Sequence, residues 1–313
     1  MSLLLCGDFD PGEASDWLAA LQAELPGETW VIAPGGRGAD DAAIDMAIVA
    51  NPPPGSLQGL TGLRLIQSLW AGVDRLLADP TLPADVPLAR MVDPAMNQAM
   101  AETALWAVLA LQRDFFGYAR QQATGQWRPH PQRRADEWPV LVLGLGEMGR
   151  TTAGRLAANG YPVTGWSRTP HTVPGVHCLS GEAALTAALA AAQVVINLMP
   201  LTPQTRGFFN QVRLAQCRRG AHLVNLARGA HLVEADALAA LASGQLGELV
   251  LDVFATEPLP TNHAFWAHPR VTVLPHIAAQ TDHRSAAAVV AANVRRLRTG
   301  QPVLNRVERA RGY

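Results

Sequence analysis

Val140-Leu141-Val142-Leu143-Gly144-Leu145-Gly146-Glu147-Met148-Gly149-Arg150 decides how this chain is read. Four apolar residues lead into a Gly-x-Gly-x-x-Gly spacing, the pattern of a buried parallel strand that turns sharply into a helix. Each glycine has its own task. Gly144 permits the tight turn, Gly146 lets the backbone approach a pyrophosphate because no Cβ intervenes, and Gly149 allows the helix to pack closely on the strand. Unpaired amides at the helix start, with the helix dipole, then hold the anion. A helical pattern over residues 150–159, the punctuating Gly160 and the run Val163-Thr164-Gly165-Trp166 complete the βαβ unit that the fingerprint requires.

Working outward, the rhythm continues. Apolar runs at residues 140–143, 163–167, 194–198, 222–226, 249–253 and 271–274 predict six strands, enough for two mononucleotide-binding halves. Upstream, short runs at 3–6, 30–33, 46–50, 63–68 and 88–92 predict a second, smaller parallel α/β layer. Asn51-Pro52-Pro53-Pro54-Gly55 must be a loop, since consecutive prolines remove ladder donors. From Asp93-Pro94-Ala95-Met96 a helical pattern runs through Tyr118, with Ala101, Leu105, Val108 and Leu109 at helical spacing, and bridges the two layers. Residues 125–134, including Trp127 and the pair Arg133-Arg134, form a poorly structured connection. A last helix over residues 282–299 returns the chain to the first layer, which makes that domain discontinuous.

Bulk properties bound the function. A length of 313 residues suits about two domains, and 49% hydrophobic against 16% charged residues describes a folded chain with a full core. A formal net charge of −1 argues against nucleic acid as a partner. Cys6, Cys178 and Cys217 are odd in number and lack metal-ligand or redox spacing, so they read as buried thiols in a reducing compartment. The apolar start of Met1-Ser2-Leu3-Leu4-Leu5-Cys6-Gly7-Asp8 is too short for a signal peptide. Thr186, Gln193, Asn197 and Pro200 break the apolar stretch near residues 185–201, which therefore reads as helix then strand rather than a membrane span. A soluble cytoplasmic protein with no membrane partner is expected.

The second strand ends in Ser167-Arg168-Thr169, where dinucleotide folds commonly place an acid against the ribose hydroxyls. Without that carboxylate nothing repels a 2′-phosphate. Arg168 can pair with one bidentately, Ser167 and Thr169 can donate hydroxyl bonds, and Arg150 adds a second charge. Charge-assisted bonds contribute roughly 1.5–3 kcal/mol each, so the expected cofactor is NADP, with NADPH preferred over NADH.

Three later strand ends carry the residues for chemistry. Asn225-Leu226-Ala227-Arg228-Gly229 presents a cation, Leu251-Asp252-Val253-Phe254-Ala255-Thr256-Glu257-Pro258 a carboxylate, and Thr272-Val273-Leu274-Pro275-His276-Ile277-Ala278 an imidazole, all on one rim. Hydride transfer to a 2-oxo acid needs that trio. The carbonyl oxygen gains negative charge, so His276 is placed to donate a proton, Glu257 raises its pKa, and Arg228 grips the substrate in a planar fork. No metal is required.

The fingerprint, the Asn-Leu-Ala-Arg-Gly stretch, Leu-Asp-Val-Phe with Glu-Pro-Leu-Pro, and Pro-His-Ile-Ala-Ala resemble the D-isomer-specific 2-hydroxyacid dehydrogenases. Trp166-Ser167-Arg168 and the ending Arg309-Ala310-Arg311-Gly312-Tyr313 are similar to the glyoxylate/hydroxypyruvate reductase branch of that family. The resemblance covers nearly the whole chain, and in the first hundred residues it rests mainly on Ser68-Leu69-Trp70-Ala71-Gly72-Val73-Asp74. It implies an α/β fold of two doubly wound parallel-sheet domains. One is an NADP-binding Rossmann domain at residues 99–280. The other is a smaller, discontinuous, flavodoxin-like substrate domain from residues 1–98 and 281–313.

By that resemblance Arg228, Glu257 and His276 are the catalytic set, in a reduction of glyoxylate or hydroxypyruvate to a 2-hydroxy acid. The amides of Ala71, Gly72 and Val73, beside Trp70, would hold the substrate carboxylate, with Arg228 and His276 completing the substrate site. Trp70 departs from a glycine often found there, which affects pocket size. The turn residues Gly144, Leu145, Gly146, Glu147, Met148 and Gly149 would line the cofactor with Leu198, Met199, Pro200 and Thr202. Leu226, Ala227, His276 and Ala278 join them, and Asp252 would sit by the nicotinamide amide. Trp127 would reach into the partner of a two-fold homodimer.

Other residues have ordinary readings. His130, His171, His231, His263 and His268 read as satisfied surface or core side chains, and Trp106, Met96 and Met100 as packing. Two alternatives stand beside the reductase: a non-catalytic NADP(H)-sensing protein on the same scaffold, and a related dehydrogenase of another small anion such as formate or phosphite.

Overall fold

Continuous apolar runs without alternation make parallel strands because both faces of such a sheet are covered. In the computed structural model, which describes residues 1–10, 12–33 and 43–313, the chain divides into two units, one of Met1–Ala95 with Thr281–Tyr313 and one of Met96–Gln280.

The first unit is built on β1 (Ser2–Gly7), β2 (Thr29–Ile32), β3 (Ile44–Ala50), β4 (Leu65–Ser68) and β5 (Leu88–Ala89), with helices α1 (Glu13–Glu24) and α2 (Asp74–Leu77). Its strands pair in parallel in the order β2-β1-β3-β4-β5, the flavodoxin-type arrangement. Both β1 and β3 are buried at every residue.

In the second unit, α3 (Pro94–Gln112) starts with proline at a position that needs no amide donor, while Asp93 accepts a hydrogen bond from the Ala95 amide at 2.9 Å. The helix expected through Tyr118 instead breaks, and α4 (Phe115–Ala123) begins afresh. The break falls at Asp114: its backbone is left-handed (φ 55°), its carboxylate pairs with His130, and a Cβ on Gly117 would have to displace that carboxylate.

There follow β6 (Val140–Leu143), α5 (Glu147–Ala158), β7 (Val163–Trp166), β8 (His177–Leu179), α6 (Glu182–Ala191), β9 (Val194–Asn197) and α7 (Gln211–Gln216). Then come β10 (Ala221–Asn225), α8 (Glu234–Ala242), β11 (Leu246–Leu251), α9 (Ala264–Ala267) and β12 (Val271–Val273). The sheet order is β12-β11-β10-β9-β6-β7-β8, all parallel, so the fingerprint strand β6 lies where the order reverses. Seven strands stand where six were expected. The addition is β8, an edge strand of three residues, none fully buried, too short and too exposed to leave an apolar run. Alternate residues of β6 serve opposite faces: Leu141 and Leu143 join one core, Val140 and Val142 the other.

The chain then re-enters the first unit as α10 (His283–Arg298), capped by the Asp282 carboxylate on the Arg284 amide. Ala286, Ala287, Val290, Ala291 and Val294 form its buried face against Leu3, Leu5, Trp17 and Leu21, and each valine contributes roughly 1.5–3 kcal/mol by burial. At its end Arg298 pairs with Glu28 at 2.6 Å and with Asp45. Of the three cysteines, Cys6 and Cys217 are buried and Cys178 is only half-buried. Burial pushes the Cys217 thiol up to about 11, which keeps it inert.

His222 at the start of β10 stacks on Trp138 with 5.9 Å between ring centroids, and burial pulls its pKa down to about 4. The folded chain therefore holds this ring neutral while the unfolded chain protonates near pH 6.5, so stability is lost as pH falls from about 6.5 to 4. Replacing His222 by Leu is expected to remove on the order of 2 kcal/mol of that acid sensitivity, read from urea unfolding at several pH values. An unchanged pH dependence would contradict this.

Candidate active site

The glycine turn has the geometry its residues require. At Gly144 (φ 91°) a Cβ would lie 2.7 Å from the Leu198 carbonyl oxygen, and at Gly149 one would lie 1.7 Å from the Gly144 oxygen, so backbone blocks any side chain at either place. Gly146 differs, for nothing stands within 4 Å of its Cβ position, which leaves open space above the first amides of α5. Glu147 and Arg150, three apart on α5, pair with each other. Leu145 points inward instead: a Cβ on Gly165 would meet its Cδ2 at 2.7 Å, which explains a glycine in the middle of β7.

Beyond β7, Arg168 and Thr169 are exposed and Ser167 is buried. The Ser167 hydroxyl donates to the Thr169 carbonyl at 2.7 Å, so its hydrogen is committed within the turn. Past β9, the Leu198 amide donates to Leu143 and the Met199 amide to the Asn197 side chain, while the Thr202 amide donates to Thr205. Met199, Leu226, Ala227 and Ala278 are buried and Met148 packs on the same core as Leu226 and Ala278, so their side chains serve packing.

Because the strands are parallel, the ends of β10, β11 and β12 share one edge. His276 Nδ1 lies 2.7 Å from Glu257 Oε2. A carboxylate only accepts, so Nδ1 carries the hydrogen and Nε2 is the nitrogen through which a proton can pass. The bond to Glu257 raises the imidazole pKa above its ordinary value, against burial and the repulsion of Arg228. Burial works to raise the Glu257 carboxyl, but hydrogen bonds from His276 and the Phe254 amide, with the charges of His276 and Arg228, outweigh it and lower its pKa. Arg228 thus acts electrostatically on both groups, and its own Nη1 donates to the Ala227 carbonyl at 2.8 Å.

Contacts that sequence reasoning missed hold this trio. Asp252, 1% exposed, accepts the amides of Ile277 (2.7 Å) and Ala278 (3.0 Å), while its carbonyl accepts the His276 amide (3.0 Å). Gly229 lies so close to the exit of β11 that a Cβ would sit 1.8 Å from the Phe254 carbonyl carbon. Only the glycine following Arg228 signals this in the sequence. In the first unit, residues 69–73 follow β4; the Trp70 amide donates to Ser68 Oγ at 3.0 Å, and its ring packs edge-on to Trp17 at 6.3 Å.

Removing the charge at position 257 tests the pair. In a Glu257→Gln variant the His276 pKa is expected to fall from its raised value, as read from the ring-proton resonance in a pH titration. A pKa that does not move would show that Glu257 does not control the imidazole.

Similarity to known proteins points the same way. Residues 105–278 match the family model described as D-isomer specific 2-hydroxyacid dehydrogenase, NAD binding domain. A relative from Serratia proteamaculans, named glyoxylate/hydroxypyruvate reductase A, is 43% identical over 306 residues, 96% of each chain. The structure of a D-isomer specific 2-hydroxyacid dehydrogenase from Xanthobacter autotrophicus Py2 in complex with NADPH and MES superposes with a TM-score of 0.95 at 43% identity, covering 100% of this chain and 99% of that one. An NADPH-dependent glyoxylate/hydroxypyruvate reductase from Sinorhizobium meliloti, in complex with NADP and sulfate, gives 0.93 at 35% identity with 100% of both chains covered. With its glycine turn, its parallel sheets and its paired histidine and glutamate, the chain belongs to the D-isomer specific 2-hydroxyacid dehydrogenase family.

Proposed function

We propose that the chain is an NADPH-dependent reductase of small 2-oxo acids, glyoxylate and hydroxypyruvate foremost, forming 2-hydroxy acids. The observation that carries this is the His276–Glu257 pair, 2.7 Å apart on the strand-end rim that also bears Arg228. Reducing a ketone needs a proton at the carbonyl oxygen as charge develops there, and an imidazole whose pKa is raised supplies it near neutral pH. Arg228, always charged, suits a carboxylate and the carbonyl beside it. The amides of Ala71, Gly72 and Val73 are proposed as contacts for the substrate carboxylate, and Trp70 as a limit on its size.

The open space at Gly146 and the α5 amides suit a pyrophosphate, and the exposed Arg168 and Thr169 suit a 2′-phosphate. When bound, NADPH supplies the two electrons and the hydrogen that the carbonyl carbon receives. The chain's own residues orient the acid, donate the proton through His276 Nε2, and keep that imidazole charged through Glu257. Relatives and neighbours named as glyoxylate/hydroxypyruvate reductases, and neighbours bound to NADPH or NADP, support the assignment. We also infer a cytoplasmic homodimer, supported for the dimer by Trp127, 98% exposed on its loop. No described helix is long and apolar enough to cross a membrane.

A panel of 2-oxo acids, followed by NADPH and NADH consumption side by side, tests the proposal. The expected result is turnover of glyoxylate and hydroxypyruvate with NADPH preferred, and a His276→Gln variant slower by roughly 10²–10⁴-fold that still binds NADPH. An Arg168→Asp variant is expected to lose the preference for NADPH over NADH. Binding of NADPH without consumption on any 2-oxo acid would contradict a catalytic role.

A further inference from the structure

The neighbouring strands β9 and β10 end on the same residue type. Asn197 and Asn225 are paired across the last rung of their ladder, and both are 0% exposed, as is His231 in the turn of 3-10 helix Gly229–His231. Burying three polar side chains costs free energy unless each finds partners. Their partners account for them closely. Asn197 Nδ2 donates to Asn225 Oδ1 at 2.9 Å and lies 3.0 Å from His231 Nδ1; Asn197 Oδ1 accepts the Met199 amide at 3.2 Å. Asn225 Nδ2 donates to the Arg228 carbonyl at 3.0 Å, and its Oδ1 also accepts the Ala227 amide at 3.3 Å. His231 Nε2 lies 3.3 Å from the Pro200 carbonyl.

His231 Nδ1 lies 3.0 Å from Asn197 Nδ2 and 3.1 Å from the Arg228 carbonyl, and Nε2 lies 3.3 Å from the Pro200 carbonyl, so in either tautomer a ring nitrogen donates to a strand-exit carbonyl. The outputs of the network are backbone atoms of two strand-exit loops, Met199 and Pro200 on one side and Ala227 and Arg228 on the other. The strands do not need it to pair, because their backbone ladder already joins them. Apolar side chains would fill the same volume without the desolvation cost. What polar residues add here is direction.

We propose that His231, Asn197 and Asn225 are positioning residues that hold the Arg228 main chain, and through it the guanidinium, in the place where it grips the substrate carboxylate. The proposal rests on the role given to Arg228 above. His231 touches neither substrate nor cofactor; it acts by fixing a loop. A displaced guanidinium weakens substrate binding and alignment, whereas a general loss of folded protein lowers apparent turnover and leaves KM alone.

A double-mutant cycle on the full-length protein separates these cases. His231→Leu removes both ring nitrogens, and is expected to raise the KM for glyoxylate and lower kcat/KM by about 10²-fold. His231→Gln, which keeps one acceptor and one donor for Asn197 and a strand-exit carbonyl, is expected to recover most of that loss. In an Arg228→Ala background, His231→Leu should cost less than about threefold more, because the group it positions is gone. Asn225→Ala, which removes the donor to the Arg228 carbonyl, is carried through the same cycle and decides the matter should the leucine variant not fold. Costs that add fully across the cycle would overturn the positioning role while leaving the catalytic reading intact. A kcat/KM unaffected by Arg228→Ala alone would overturn both.

Discussion

The buried carboxylate of Asp252 is the constraint on which the site depends. His276 has a left-handed backbone (φ 57°), a conformation that costs a non-glycine residue roughly 1–2 kcal/mol. Three hydrogen bonds from residues 276–278 to Asp252, each contributing roughly 0.5–1.5 kcal/mol, offset that cost. Burial pushes the Asp252 carboxyl pKa up, and the two amides it accepts work against that rise. The consequence is directional. With its backbone turned and tied to β11, His276 meets Glu257, which leaves the same strand.

A parallel sheet makes such convergence simple. Every strand of the second unit ends at the same edge, so residues far apart in sequence reach one rim without long loops. Close packing then fixes their spacing. Gly229 presses the turn after Arg228 against Phe254, and the Phe254 amide donates to Glu257 at 2.8 Å, so cation and carboxylate are set by a single chain of contacts. Arg228 lowers the Glu257 pKa and opposes the rise at His276, while Glu257 drives that rise. The imidazole pKa is raised because the hydrogen bond and charge of Glu257 outweigh burial and the guanidinium.

Much of this was legible in the sequence because it depends on local pattern. The glycine turn, the strand ends and the trio Arg228, Glu257 and His276 each lie where an apolar run stops, and counting runs places them on one edge. What was not legible depends on tertiary proximity. The edge strand β8 is three residues long and part-exposed, so it leaves no apolar run. At Asp114 the α3 pattern breaks through contacts with His130, sixteen residues on, and with Gly117, neither of which the apolar pattern records. Ser167 reads as a phosphate donor, and only the fold shows its hydroxyl within 2.7 Å of the Thr169 carbonyl. His231 reads as an ordinary satisfied histidine, and it is satisfied; only the identity of its partners gives it a further meaning.

The central claim is that a protonated His276, kept so by Glu257, donates to the forming hydroxyl. The most direct test is the pH dependence of NADPH-driven glyoxylate reduction, set beside the titration of the His276 ring followed by its proton resonance. Because the pKa is raised, the acid form persists above the ordinary histidine range and is lost as pH rises further. The account predicts that kcat/KM falls by roughly tenfold per pH unit above the pH at which the His276 ring titrates. A rate that stays flat through that titration would contradict it.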